Sequence, residues 1–302
     1  MWLKVLLTLL FAVSLLCAFV IKPLGRRELG RTDDNDASGD VGRRLRLLTW
    51  NIGNGDLESD TRAHDEDLAA VAQVILDNDA DAVALQELTG EAQLKLLLSH
   101  LKNRYRGFVS SRGSGDRVEA VLIKNRRAPG ERKSRADRSE VSVRFSNVPA
   151  GDKFAAAAIF RLQPDSPEIV LVSAHADAFN AARRRVFAAA IVDWTLSQSN
   201  SVAFIAGDFN FEVSTRNKNN LFTDNAKNDS ESYAHLLKHF HDLGRDAGET
   251  SINDRRIDYV FGPPANVAVH RAEVLRDAAV GRMDHWPLLI EVDLSEVVVT
   301  YG

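Results

Sequence analysis

The stretch Val202-Ala203-Phe204-Ile205-Ala206-Gly207-Asp208-Phe209-Asn210 decides the reading of this chain. Its first five residues are apolar and unbroken, the pattern of a strand buried on both faces. A glycine follows, then an Asp and an Asn. Polar groups crowded at the end of a buried strand add little to its stability. They stand where a rigid sheet presents side chains to a cleft.

The same grammar recurs along the chain. Residues 45–52 read as a strand carrying Thr49-Trp50-Asn51 at its end, and residues 81–88 as a strand carrying Gln86-Glu87. His175 and Asp177 follow the run Val170-Leu171-Val172-Ser173-Ala174. Asp258 is set between Ile257 and Tyr259, and Asp284-His285 comes before Trp286-Pro287. Carboxylates, amides and histidines gathered this way, without a nucleophilic Ser or Cys, point to metal-assisted attack by water.

Each cluster also has a bland reading. Asn51, Asp208 and Asn210 suit turns that cap their own backbone. Glu87 suits a helix cap as well as a hard-cation ligand, and a lone His175 suits a structural role. Asp258 is harder to explain away, because a buried strand carboxylate is costly unless paired or metal-bound. Asp284 beside His285 fits the way an Asp fixes an imidazole for acid–base work.

The bounds agree with an enzyme domain. The chain has 302 residues, 45% hydrophobic and 26% charged, enough for a sizeable core. A net charge of -4 and a pI near 6.1 argue against a protein that coats nucleic acid nonspecifically. The single cysteine, Cys17, excludes an intramolecular disulfide.

Three segments are expected. Residues 1–21 read as a signal anchor or signal peptide: positions 5–21 are 17 residues without a charge, between Lys4 and Lys22. Residues 22–44 read as a flexible polar linker, and residues 45–302 as the catalytic domain. A membrane-anchored or exported protein follows. Sidedness stays open, because the basic residues after the run favour retention while an ordinary signal favours export.

Within the domain, strands and helices alternate. Helices are predicted over residues 65–76, 91–101, 181–196 and 233–240. Further strands are predicted over residues 117–124, 141–145, 154–162, 169–174, 202–206, 257–261, 267–275 and 286–292, with the three from 141 to 174 antiparallel. Residues 125–138 form a basic loop and 211–232 a long polar loop. Arg183, Arg184 and Arg185 read as a solvated helix face with ion pairs. Mixed strands with helices outside imply an α/β domain of two packed mixed β-sheets flanked by helices.

Taken in order, Thr-Trp-Asn at 49–51, Leu-Gln-Glu at 85–87, Ser-Ala-His-Ala-Asp at 173–177, Gly-Asp-Phe-Asn at 207–210, Arg-Ile-Asp-Tyr-Val at 256–260 and Met-Asp-His-Trp-Pro at 283–287 resemble the endonuclease/exonuclease/phosphatase superfamily. The resemblance implies a four-layer α/β sandwich and a Mg²⁺-dependent phosphoester hydrolase, with Mn²⁺ a substitute. It implies Glu87 and Asn51 as metal ligands, and a second cation near Asp208, Asp258 and Asp284. His285, oriented by Asp284, would act on the attacking water or the phosphate. Asp208 would position that water and Asn210 a phosphate oxygen. His175 would stabilise the pentacovalent phosphorus or protonate the leaving group. Asp258 would complete the polar ring, beside a second cation or His175.

His175 stands where AP endonucleases carry a Tyr, and the inositol 5-phosphatase pattern Pro-x-Trp-Cys-Asp-Arg is missing. The deoxyribonuclease and neutral sphingomyelinase branches remain. The expectation is an endonuclease-like phosphodiesterase acting on nucleic acid. The alternative is a membrane-tethered phospholipid or sphingomyelin-type phosphodiesterase or phosphatase, and a third reading is an inactive tethered binding module. The last should lack at least one of Glu87, Asp208, Asp258 or His285, and all are present.

Overall fold

The computed structural model describes residues 44–53, 61–111, 117–125, 142–198, 200–213, 226–252, 254–263, 267–295 and 297. The apolar run 5–21, residues 22–43 of the linker, most of the basic loop and residues 214–225 of the long polar loop lie outside them; Arg44, read as the end of the linker, opens the first strand. Among the described residues, no helix is long and apolar enough to cross a membrane.

Among the described residues, twelve strands form two six-stranded sheets. The first has the order β11 (Ala268–Val274), β12 (Leu288–Asp293), β1 (Arg44–Asn51), β2 (Ala82–Leu88), β4 (Val118–Lys124), β3 (Tyr105–Val109). The second runs β5 (Arg144–Ala150), β6 (Lys153–Phe160), β7 (Glu168–His175), β8 (Ser201–Asp208), β10 (Asp258–Gly262), β9 (His241–Asp242). Each sheet holds one parallel pair, β1 with β2 and β7 with β8; the other pairings are antiparallel.

The apolar alternation explains the layers. Leu45 and Leu47 join Ala84, Val121, Ala158, Leu171, Phe204 and Val260 in a core between the sheets. Leu48 and Trp50, one step out of phase, pack with Leu68, Val71 and Ile75 of α1 (Thr61–Asp77) and Leu94 and Leu97 of α2 (Glu91–His100). The second sheet packs its outer face on Phe187, Ile191 and Val192 of α3 (Ala181–Leu196) and Leu236 of α4 (Ala226–Leu237). Strands buried on both faces read as continuous apolar runs, as 202–206 does. The result is the predicted four-layer α/β sandwich.

Some boundaries move. Strand β3 was unforeseen, because Arg106 and Gly107 interrupt its apolar pattern. Strand β5 begins at Arg144 and β12 only at Leu288, after Pro287. The last helix covers Ala226–Leu237 instead of residues 233–240. Its first turns look like loop because they are polar, yet Asp229 there is fully buried against Arg184. Arg184 is correspondingly no solvated residue: its Nε and Nη2 hold the Asp229 carboxylate at 2.8 and 3.2 Å. Arg183 and Arg185 do lie on the exposed face, with ion pairs to Asp177 and Glu231.

Candidate active site

Parallel strands end together, and here those ends carry the polar residues. Asn51 ends β1 beside Gln86 of β2. His175 ends β7 beside Asp208 of β8. Antiparallel to β8, β10 begins at Asp258, directly opposite Asp208. His285 precedes β12, which pairs with β1, and its carbonyl accepts the Trp50 Nε1–H at 3.0 Å.

Several local devices aim these groups. Glu87 sits at φ 64°, where the β2–β4 register shifts between Leu85 and Leu88, so the irregularity turns its side chain out of the ladder. Asn210 has φ 52°. Non-glycine residues in the left-handed region are costly and cluster at functional sites. Gly207, at φ 148°, lies so close to β7 that a Cβ would stand 1.9 Å from the Ala174 carbonyl oxygen. Gly53 leaves space for Glu87, since a Cβ there would stand 2.1 Å from Oε2.

The side chains interlock. Asn51 Nδ2 donates to Glu87 Oε1 at 3.0 Å and Asp208 Oδ2 at 3.1 Å, while its oxygen accepts from the Gly53 amide. Asp208 Oδ1 accepts the Asn210 amide at 2.8 Å, and Asn210 Nδ2 donates to the Ala176 carbonyl at 3.3 Å. His175 Nε2 is 3.7 Å from Glu87 and 3.6 Å from Asp208. His285 Nε2 is 3.7 Å from the same Asp208 oxygen.

One assignment changes. Asp258, not Asp284, orients His285: Nδ1 meets Asp258 Oδ2 at 2.8 Å, whereas Asp284 Oδ1 stands 4.0 Å from Nε2. Adjacency in sequence misleads here, because Asp284 projects to the rim and is 36% exposed at its side chain. Asp258 also does not pair with His175. Its backbone amide donates to Thr250 Oγ1, which also accepts from the Ile257 amide and so fixes the start of β10.

The two histidines are tuned apart. Burial presses His175 below its usual range, and Asp208 and Glu87 only partly offset it. Burial acts the same way on His285, but Asp258 and Asp208, with the Asp258 hydrogen bond, overcome it and raise the imidazole to about 10. Of the two roles the resemblance implies for His285, action on the water or on the phosphate, a charged ring suits the second: without a cation present, its carboxylates hold it charged. Burial raises Asp208, with Asp258 adding to the rise and His285 opposing it. Burial also opposes ionisation of Glu87, yet His175, the Asn51 hydrogen bond and His285 keep it below the ordinary carboxylate range. Titratable pairs pushed apart are a mark of acid–base assignment.

The donor set fits a divalent cation. Asp208, Asp258 and His285 each offer a ligand atom within 4.8 Å of the others; Asp284 is not among them. Among the described residues, Asp258 Oδ1 is buried and has no hydrogen-bond partner. Such an orphaned carboxylate oxygen is costly unless a cation or water satisfies it. Glu87 adds a further hard oxygen ligand.

The sequence reading missed three buried residues. Gln86 Nε2 donates across the sheets to Ser173 Oγ at 3.0 Å, and Ser173 Oγ donates to the Leu85 carbonyl at 2.9 Å. Glu119 Oε1 lies 3.8 Å from His175 Nδ1. Its signal was available: a lone carboxylate between Val118 and Ala120, inside an apolar strand, as with Asp258.

A four-layer sandwich whose parallel strand ends gather two oppositely tuned histidines and a carboxylate cluster defines a metal-assisted hydrolase. The chain belongs to the endonuclease/exonuclease/phosphatase family of phosphoester hydrolases, whose family model matches residues 48–287. No curated protein matches it. Among solved structures it is similar to an endonuclease/exonuclease/phosphatase from Bacteroides vulgatus, at 19% identity, 83% of this chain, 99% of that one and TM-score 0.63. It is similar to a Bacteroides thetaiotaomicron mannosyl-6-phosphatase at 17% identity, covering 82% and 99%, TM-score 0.62. The human Nocturnin catalytic domain with bound sulfate matches at 15% identity, covering 85% and 96%, TM-score 0.61. At these identities the likeness is one of fold.

Proposed function

We propose that this chain is a Mg²⁺-dependent phosphodiesterase that cuts nucleic-acid backbone by attack of water, with Mn²⁺ able to substitute. The observation that carries the reading is the Asp208 carboxylate shared by two histidines of opposite charge preference. Glu87, with Asn51 beside it, would hold the Mg²⁺, which would supply charge neutralisation at the phosphate and its leaving oxygen and leave His285 and Asp208 for the chemistry. The imidazolium of His285 supplies a charged donor for a phosphate oxygen. Asp208, with its raised proton affinity, orients water and accepts its proton. Neutral His175 donates to the phosphoryl group as charge builds, and the Asn210 amide holds a second phosphate oxygen.

A second reading is a phospholipid or sphingomyelin-type phosphodiesterase. The uncharged run at residues 5–21 favours it, since a chain anchored in or exported across a membrane works beside lipid.

Nicking of supercoiled plasmid by the purified full chain, in Mg²⁺ and in EDTA, tests the proposal. The expected result is nicking that EDTA abolishes and that His285→Ala and Asp208→Ala reduce by roughly a hundredfold or more. A near-native rate in either variant sinks the mechanism. A folded chain that leaves DNA and RNA intact but hydrolyses sphingomyelin in vesicles replaces the first reading with the second.

A further inference from the structure

One layer beneath the site, the core between the sheets stops being apolar. On the face that meets the opposite sheet, β1 passes from Leu47 to Thr49, β2 from Ala84 to Gln86, and β7 from Leu171 to Ser173. Thr49, Gln86 and Ser173 are fully buried. Gln86 Nε2 donates across the gap to Ser173 Oγ at 3.0 Å and reaches Thr49 Oγ1 at 3.4 Å. Ser173 Oγ in turn donates to the Leu85 carbonyl at 2.9 Å.

This amide adds little to stability. Among the described residues, Gln86 Oε1 is buried and has no hydrogen-bond partner. A buried carbonyl oxygen left unsatisfied is costly, and an apolar side chain of similar shape removes that cost. A polar residue that breaks the rule of its own core layer, directly under a site, points to a role in that site.

What the amide touches is the bulge that carries Glu87. The β2–β4 ladder is in register at Leu85↔Ala120 and again at Leu88↔Val118, so Gln86 and Glu87 together face the single residue Glu119. A bulge leaves its extra residue outside the ladder, and here Glu87 takes its left-handed φ of 64°. Such a conformation persists only where the surroundings hold it. Two holds are in place. On the β1 side, the Ile52 amide donates to the Gln86 carbonyl at 3.1 Å. From the opposite sheet, Ser173 engages both the Leu85 carbonyl and the Gln86 side chain. Ser173 lies two residues before His175 on the same strand, so one hydroxyl ties the Glu87 bulge to the strand that delivers the histidine.

We propose that Gln86 is a positioning residue: with Ser173 it clamps the bulge from the opposite sheet and so presents the Glu87 carboxylate to the divalent cation. The clamp rests on the reading of Glu87 as a metal ligand. Groups that orient a ligand in this way typically change metal affinity by about 10–100-fold.

The test is Mn²⁺ binding to the purified full chain, followed by the EPR signal of the free ion, beside urea unfolding in EDTA. The site under test is the one that Glu87→Gln weakens. Gln86→Leu should raise its Kd about tenfold or more, with a urea midpoint at or above that of wild type. Gln86→Met, nearly as long as the native side chain, should match Gln86→Leu. Wild-type affinity in Gln86→Met would show that packing and not the hydrogen bond holds the bulge, and overturns the clamp. In the Glu87→Gln background, Gln86→Leu should change Mn²⁺ binding by less than about twofold. A further loss of the full size there means that Gln86 acts through another group, and the clamp falls. Unchanged Mn²⁺ affinity in Gln86→Leu, or a loss that only tracks a lowered urea midpoint, makes the residue structural and overturns the clamp alone. A wild type whose Mn²⁺ binding survives Glu87→Gln intact overturns the metal-ligand reading of Glu87 and the clamp with it.

Discussion

Replacing Asp258 by Asn keeps the shape of the side chain and removes its charge, which isolates what orients His285. The native contact is buried and 2.8 Å long, whereas Asp284 stands 4.0 Å from the other ring nitrogen and reaches solvent. Raising the imidazole from 6.5 to about 10 corresponds to roughly 5 kcal/mol in favour of the charged ring. Burial works against that rise, so the carboxylates together supply more. Asp258 makes the largest favourable contribution, ahead of Asp208 and Asp284. Its loss should therefore remove about 2–4 kcal/mol, at 1.4 kcal/mol for each tenfold change. The assay is an NMR titration of His285 in EDTA, which needs no substrate. The wild-type ring should titrate near pH 10, and the Asp258→Asn ring near pH 8 or lower. The folded value lies above the unfolded one, so this group stabilises the fold fully below pH 6.5 and loses that contribution as pH rises toward 10. That slope should shrink in the variant. In turnover, Asp258→Asn should lower kcat by about 10²–10⁴, and Asp284→Asn by less than about tenfold. An unchanged His285 titration in Asp258→Asn, or a larger kcat loss in Asp284→Asn, would refute the assignment.

Two further substitutions probe the frame around the site. Burial, only partly offset by the Ser110 hydroxyl, pushes Glu119 up to about 7. The folded chain thus holds a proton that the unfolded chain releases between about pH 4.5 and 7, and stability should fall across that window. Glu119→Gln should erase the fall: equal to wild type near pH 4, and more stable by up to roughly 3 kcal/mol at pH 8. Urea unfolding in EDTA at both pH values decides it, and a variant weaker than wild type at pH 8 would contradict it. Gly207→Ala should destabilise by roughly 3 kcal/mol or more, because an unfavourable φ and a backbone clash with Ala174 add together. A urea midpoint within about 1 kcal/mol of wild type would show that β7 and β8 can part without cost.

How far the sequence carries depends on what each signal averages over. Layers were legible because burial on two faces writes long apolar runs, and 202–206 or 169–174 admit little else. Helix α3 was legible to the residue, since Asn180 caps it by accepting the Arg183 amide. Helix α4 was half hidden, because Asp229 earns its burial from a partner 45 residues away. The same limit applied in the site. Asp258, Asp208 and His285 were recognisable as chemistry-bearing residues. Which carboxylate faces which imidazole is a matter of three-dimensional register, and the nearer residue in sequence, Asp284, was the wrong one.

A deeper regularity lies in the order of the motifs. Asn51, Glu87, His175 and Asp208 come late in their strands, whereas Asp258 opens β10 and His285 precedes β12. Both arrangements put side chains at one edge of the sandwich only because β1–β2 and β7–β8 are parallel while β10 and β12 return antiparallel. Had β10 run parallel to β8, Asp258 would stand at the opposite edge, a strand length away, at about 3.3 Å per residue. The switch from strand-ending to strand-opening motifs is therefore itself a topological signal. It says that the last two contributors come from strands reversed against their neighbours. It also explains the strain at Glu87 and Asn210: strand ends from two sheets deliver groups to within a few ångströms, and left-handed backbone supplies the final turn inward.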